Sequence, residues 1–137
     1  MIISRDGSLV IDGNAVSSDT KLAVLEEMPV WSKSQLVSQS DQIKTFSVRP
    51  VLIDGLTFSI ILVFRHEYIS LIQLSLLLDE DKGWESWSEA TEAKRKAKHD
   101  ELLASALGSQ PWNYSWGQVF SDYDPRSGSS AISVQFS

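Results

Sequence analysis

The chain contains no cysteine. A disulfide framework, a thiolate nucleophile, a cysteine-ligated zinc site and an iron–sulfur cluster are therefore excluded together. The absence agrees with a reducing cytoplasm without requiring one. Histidine is almost as scarce, with His66 and His99 the two present. A two-histidine metal site would need them to meet from a strand connection and a helix, so no metal or cofactor is expected. His99 and Asp100 point about 100° apart on a helix and make no orienting dyad. His99 is expected as a partly exposed helix residue.

Long charge-free apolar runs are missing too. The richest apolar region, Leu56 to Leu78, is broken by Arg65-His66-Glu67, and Met1 to Val10 carries Arg5 and Asp6 in place of the apolar stretch a secretory signal requires. No membrane association is expected, and a cytoplasmic location is. No Gly-x-Ser-x-Gly elbow occurs. Positive charge is in the minority, 12 basic against 18 acidic residues for a net −6, which repels phosphate backbones and favours basic surfaces. Nucleic acid is not an expected partner.

What is present suffices for a core: 137 residues with a 42% hydrophobic share read as a single domain spanning 1–137. Met1 to Arg5 and Ser8 to Ile11 read as a hairpin about Asp6-Gly7, with Asp12-Gly13 ending the second strand. Leu22, Leu25 and Met28 recur at helical spacing behind the capping oxygens of Ser17, Ser18 and Asp19, until Pro29 stops the helix. Val30 to Asp41 reads as a loop anchored by Trp31. Ile43 to Ile53 is a strand that Pro50 places at an edge or around a bulge. After the Asp54-Gly55 turn, Leu56, Phe58, Ile60, Leu62 and Phe64 alternate with Thr57, Ser59, Ile61 and Val63. Tyr68 to Leu78 repeats the pattern, and the two strands are predicted to be neighbours near the sheet centre.

A capping box from Ser86 to Glu89 opens a second helix that Gly108 ends, with Ala93, Ala97, Leu103, Ala104 and Leu107 as its predicted buried face and Lys96 and Asp100 intruding. Gly117 to Tyr123 and Ser130 to Phe136 are the last strands. The expected class is α+β, mostly antiparallel, in the order ββ-α-βββ-α-ββ with two helices packed on the sheet.

Carboxylates capable of acid–base work, Asp122, Asp124 and the run Asp79-Glu80-Asp81, all fall in turns or strand ends, where they are ordinarily hydrated. The acidic run lacks the ligand spacing of a calcium loop. Ser127-Gly128-Ser129-Ser130 with Arg126 reads as a turn whose serines satisfy their own backbone, ahead of an anion-binding nest. Five tryptophans are many for this length. Trp84, Trp87, Trp112 and Trp116 bracket the second helix, chiefly as core, with Trp84 and Trp112 the more exposed pair and candidate interface anchors.

The last part of the chain carries Trp84-x-x-Trp87-Ser88, Lys98-His99-Asp100-x-x-Leu103, Leu107-Gly108, Tyr114-x-Trp116-Gly117 and Tyr123-Asp124-Pro125-Arg126-Ser127-Gly128-Ser129-Ser130. This pattern resembles small bacterial proteins found as immunity-like partners of secreted polymorphic toxins. The resemblance implies a non-catalytic intracellular inhibitor that occludes a toxin by surface complementarity. Asp79, Glu80, Asp81 and Glu85 would then steer a basic partner, with Trp84, Trp112 and Arg126 in the contact. A small-molecule or peptide-binding module is the competing expectation, signalled by an aromatic-lined pocket. A buried carboxylate beside His66 or His99 would point to an enzyme instead.

Overall fold

The structure is a computed structural model, and it describes residues 1–78 and 88–137. The α+β class and the mostly antiparallel sheet are as expected, with both helices packed on the sheet. A small sheet pairs β1 (Leu9–Ile11) with β2 (Asn14–Val16). Helix α1 (Leu22–Glu26) and a 3-10 turn (Pro29–Lys33) follow. Then come β3 (Ser34–Gln39), β4 (Ile43–Ile53), β5 (Leu56–Arg65), β6 (Tyr68–Leu76), α2 (Glu89–Leu107), β7 (Trp112–Tyr114), β8 (Gly117–Asp124) and β9 (Ser129–Phe136). The main sheet is seven-stranded in the order β3-β4-β5-β6-β9-β8-β7.

Turn chemistry explains the hairpins, and it corrects the first of them. Asp12 and Gly13 both have positive φ, 48° and 84°, as do Asp54 and Gly55 at 53° and 76°. Two consecutive left-handed residues match the right-handed twist of flanking strands. The first hairpin therefore turns at Asp12-Gly13, not Asp6-Gly7. Ile2 and Ile3 are both buried, so that segment does not alternate like a half-buried strand and instead enters the core. Its Ser4 to Ser8 turn lies under Trp116, whose indole N–H donates to the Arg5 carbonyl at 2.7 Å.

The central strands follow the predicted parity. Phe58, Ile60, Leu62 and Phe64 of β5 are buried, as are Ile72, Leu74 and Leu76 of β6. A register shift opposite Val63 and Phe64 resets β6 so that Ile69 is buried too, while Tyr68 is exposed. In β4 the pairing with β5 skips from Val48 to Val51, leaving Arg49 and Pro50 as the bulge that proline demands. This strand lies one place in from the edge. The edge is β3, in the segment expected as a loop: largely polar and exposed, it is held by its pairing with β4, which a bulge interrupts between Leu36 and Ser38. Trp31 does anchor the segment before it, edge-on to Phe46 at 4.8 Å. Strand β7, three residues long, is the second addition to the expected order.

Gly117 sits where β8 begins, with φ 151°. A Cβ there would overlap the Gln135 carbonyl oxygen of β9, whereas Gly13 faces open space. Gly117→Ala is expected to destabilise the protein by about 2–4 kcal/mol, because backbone must move, and Gly13→Ala by about 1 kcal/mol, through its positive φ alone. Urea denaturation midpoints at constant slope test this; equal losses at the two glycines would show that close strand approach is not what places Gly117.

Candidate binding surface and the buried seam behind it

Helix α2 does not pack through the alanines that its sequence offered. Ala93, Ala97 and Ala104 are exposed, and the sheet-facing stripe is Glu92, Arg95, His99, Leu103, Ala106 and Leu107. The physical reason lies in the sheet. Strands β6 and β9 pair from Leu71↔Gln135 to Leu74↔Ile132 and then stop. Two residues further on, Leu76 and Ser130 would have exchanged backbone hydrogen bonds.

Side chains supply that missing pair. The Leu76 N–H donates to His99 Nε2 at 3.0 Å, and Arg95 Nε donates to the Leu76 carbonyl at 2.9 Å. The Ser130 N–H donates to Glu92 Oε1 at 2.9 Å, and its carbonyl accepts from Ser75 Oγ at 2.8 Å. Arg95 Nη1 also pairs with Glu92 Oε2, joining the two charges. Ser130 Oγ returns a bond to the Glu92 carbonyl at 3.1 Å. A buried backbone group left unmet costs about 1–3 kcal/mol, so the polar trio removes a penalty that alanines could not.

His99, expected to be partly exposed, is 0% exposed. Burial lowers its pKa from 6.5 to about 4; the nearby Arg95 charge adds to the shift, Asp100 opposes it and Lys96 adds again. Because Nε2 accepts, the neutral ring carries its proton on Nδ1, which has no partner among the described residues. Glu92 and His99 place a buried carboxylate and an imidazole on one helix face, the arrangement that would signal an enzyme. Both are committed to backbone, His99 wholly buried and Glu92 nearly so at the floor of a concavity it lines with Glu89, Ala93, Lys96 and Tyr123, and holding the helix to the sheet accounts for their placement.

The opposite side of the sheet is different in kind. Register puts Thr45, Ser47, Ile61, Val63, Leu71, Gln73, Ser133, Gln135, Phe120 and Asp122 on one face. Most of these are half-buried, and no charge lies among them until Asp122 at the margin. A concavity of about 680 Å³ occupies one end, where Arg65, His66, Tyr68, Leu71, Asp19 and Gln135 are among the lining residues. At the other end Gln73, Phe120, Asp122, Asp124, Ser129 and Ser133 help line one of about 230 Å³.

Of the residues expected to contact a partner, Asp79, Glu80, Asp81, Trp84 and Glu85 lie outside the described residues, as does Trp87. Trp112 is not an exposed anchor: it is 4% exposed, opposite Val119 in the sheet, and its indole N–H donates to the Gly108 carbonyl at 3.0 Å. Gly108 ends α2 at φ 82°, so Trp112 closes the helix end over the core. Arg126 is exposed between β8 and β9, where its N–H donates to Asp124 Oδ1 at 2.9 Å. The Ser127 and Ser129 hydroxyls bond each other at 2.7 Å in place of their own backbone, and Ser130 bonds Glu92 of α2, which corrects the expected turn of serines satisfying their own backbone. His66 and His99 stay apart, near opposite ends of β6, roughly 25 Å along a strand of this length. Among the described residues no group of three or more His, Asp or Glu converges as a metal site, and no helix is long and apolar enough to cross a membrane. Helix α2 starts at Ser88, whose hydroxyl accepts from the Thr91 N–H at 3.0 Å; Ser86 of the expected capping box is among the undescribed residues. In comparisons with known proteins, the chain matches no family model, no curated protein and no solved structure at a significant level.

Sequence reasoning missed the seam because it counted apolar residues. The signal was present as spacing: Glu92, Arg95, His99, Leu103 and Ala106 form a helical stripe once charged residues are allowed on it.

Two outcomes follow from the seam. Arg95→Met removes one member of a buried ion pair and is expected to cost about 3–5 kcal/mol in urea denaturation; a loss below about 1 kcal/mol would deny the seam its structural role. For His99, the folded-state pKa lies below the unfolded 6.5. The native state therefore prefers the neutral ring, whose contribution is complete above about pH 6.5 and is lost as pH falls towards 4. The full shift corresponds to about 3 kcal/mol. Stability measured at a series of pH values should show this excess loss in the wild type relative to His99→Gln, and parallel curves would contradict it.

Proposed function

We propose that this chain is a non-catalytic binding protein, an immunity-type inhibitor that occludes a cognate toxin, and that the open face of the seven-stranded sheet docks the partner. The observation that carries the proposal is that face. Its centre is half-apolar and uncharged around Ile61, Val63, Leu71 and Phe120, with charge held at the margins by Arg65, Asp122 and Asp124. Protein interfaces have this anatomy, charge-depleted at the core and polar at the rim. The net −6 supports a basic partner such as a nuclease toxin, because complementary charge accelerates encounter. The motif resemblance supports the immunity reading, and the chemistry is steric exclusion in the cytoplasm of the producing cell.

A second reading draws on the concavity of about 680 Å³. Arg65, His66, Tyr68 and Asp19 give it polar and aromatic lining suited to a small molecule or peptide end.

Co-expression with a toxin encoded beside this chain tests the proposal. The wild type is expected to protect cells and to elute with the toxin on size exclusion. Leu71→Arg and Phe120→Arg, each on the open face, are expected to abolish both while leaving the thermal midpoint within a few degrees. Continued killing with no complex formed by the wild type would remove the inhibitor reading. Protection that survives both variants would move the docking surface elsewhere.

A further inference from the structure

We propose that β3 is a pairing edge for a second copy of this chain, joining two seven-stranded sheets through antiparallel β3–β3 contact. The two ends of the sheet are unequal. Strand β7 is three residues long, follows Pro111 and has its Trp112 buried in the core. Strand β3 is six residues long, Ser-Gln-Leu-Val-Ser-Gln, with no charge and no proline. Its inner side pairs with β4, and no described strand pairs with its outer side. Leu36 is 47% exposed and Val37 is 59% exposed. Soluble proteins ordinarily protect such an edge with lysine, proline, an inward charge or a bulge, and of these β3 has the bulge between Leu36 and Ser38 alone.

Self-complementarity selects the occupant. A two-fold axis between Leu36 and Val37 sets Ser34 against Gln39, Gln35 against Ser38 and Leu36 against Val37. Polar residues then meet polar residues, and the apolar pair meets itself, as an isologous interface requires. A chain of net −6 repels its own copy wherever acids face each other, and the β3 edge is a place where none do. The bulge between Leu36 and Ser38 leaves Val37 without a partner in β4, so its exposed side chain is available to the second copy. The open face proposed to dock a toxin is not covered by this pairing, and the two proposals stand or fall separately.

The chain has no cysteine, so one nitroxide on Gln39→Cys reports cleanly on the pairing. In the proposed register the two labelled Cα atoms lie about 18 Å apart, five residues along the strands and one strand spacing across. Sedimentation of the full chain at increasing concentration should show a species of twice the 15.3 kDa monomer mass, and pulsed dipolar spectroscopy should give a narrow distance consistent with that separation. Val37→Lys should shift the species to monomer with an unchanged circular dichroism spectrum, while Gln118→Lys on β8 should not. A wild type that stays monomeric at hundreds of micromolar would overturn the proposal. So would a dimer whose label distance does not fit, or one that persists in folded Val37→Lys. Capture of a foreign strand on β3 with no self-association would equally count against a second copy as its occupant.

Discussion

The architecture depends on an interrupted rung. Where β6 and β9 stop pairing at the centre of the sheet, Leu76 and Ser130 are left with four backbone groups turned inward. Buried amides must be met, and the strands no longer meet each other. Glu92, Arg95 and His99, a single stripe of α2, meet three of them, and Ser75 meets the fourth. A helix that would otherwise bind the sheet through a few apolar contacts is thereby held in one register and one rotation. The ion pair within the stripe keeps both charges compensated, without which burial would be strongly unfavourable.

That constraint also divides the two faces of the sheet. Helix α2 is committed to the side where β6, β8 and β9 present Leu76, Val119, Ile132 and Val134, and its apolar end adds Leu103, Ala106 and Leu107 to the same cluster. On the other side Ile61, Val63, Leu71 and Phe120 stay half-exposed among serines and glutamines. The proposed docking role rests on this asymmetry. Polar residues in the chain thus serve two ends: the charged ones on α2 complete the sheet from within, and the uncharged ones on the open face keep it wettable without charge.

The motif residues acquire structural meanings of their own. Ser88 caps α2, His99 and Ser130 belong to the seam, Leu103 and Leu107 are core, and Gly108 ends the helix beneath Trp112. Trp116 stacks on Tyr114 at 5.2 Å and ties the amino-terminal segment to the β7–β8 turn through Arg5. These roles show how the pattern builds the fold and leave the partner to the exposed surfaces. The immunity reading therefore gains its force from the open face and the charge balance as much as from the pattern.

The central strands, the positions of β8 and β9, the proline bulge in β4 and the glycine end of α2 were all legible along the chain, because each rests on local chemistry: alternation, turn-forming dipeptides, a missing amide donor and a left-handed residue. Strand β3 was illegible for the converse reason, since its Ser and Gln residues have little preference of their own and become a strand through β4. The rotation of α2 was decided at a distance. Hydropathy pointed to its alanines, but an unpaired Leu76 and an unpaired Ser130, in segments 19 to 38 residues from the helix residues that meet them, drew Glu92, Arg95 and His99 inward. No property of a helix considered alone encodes which backbone groups its neighbours will leave unmet.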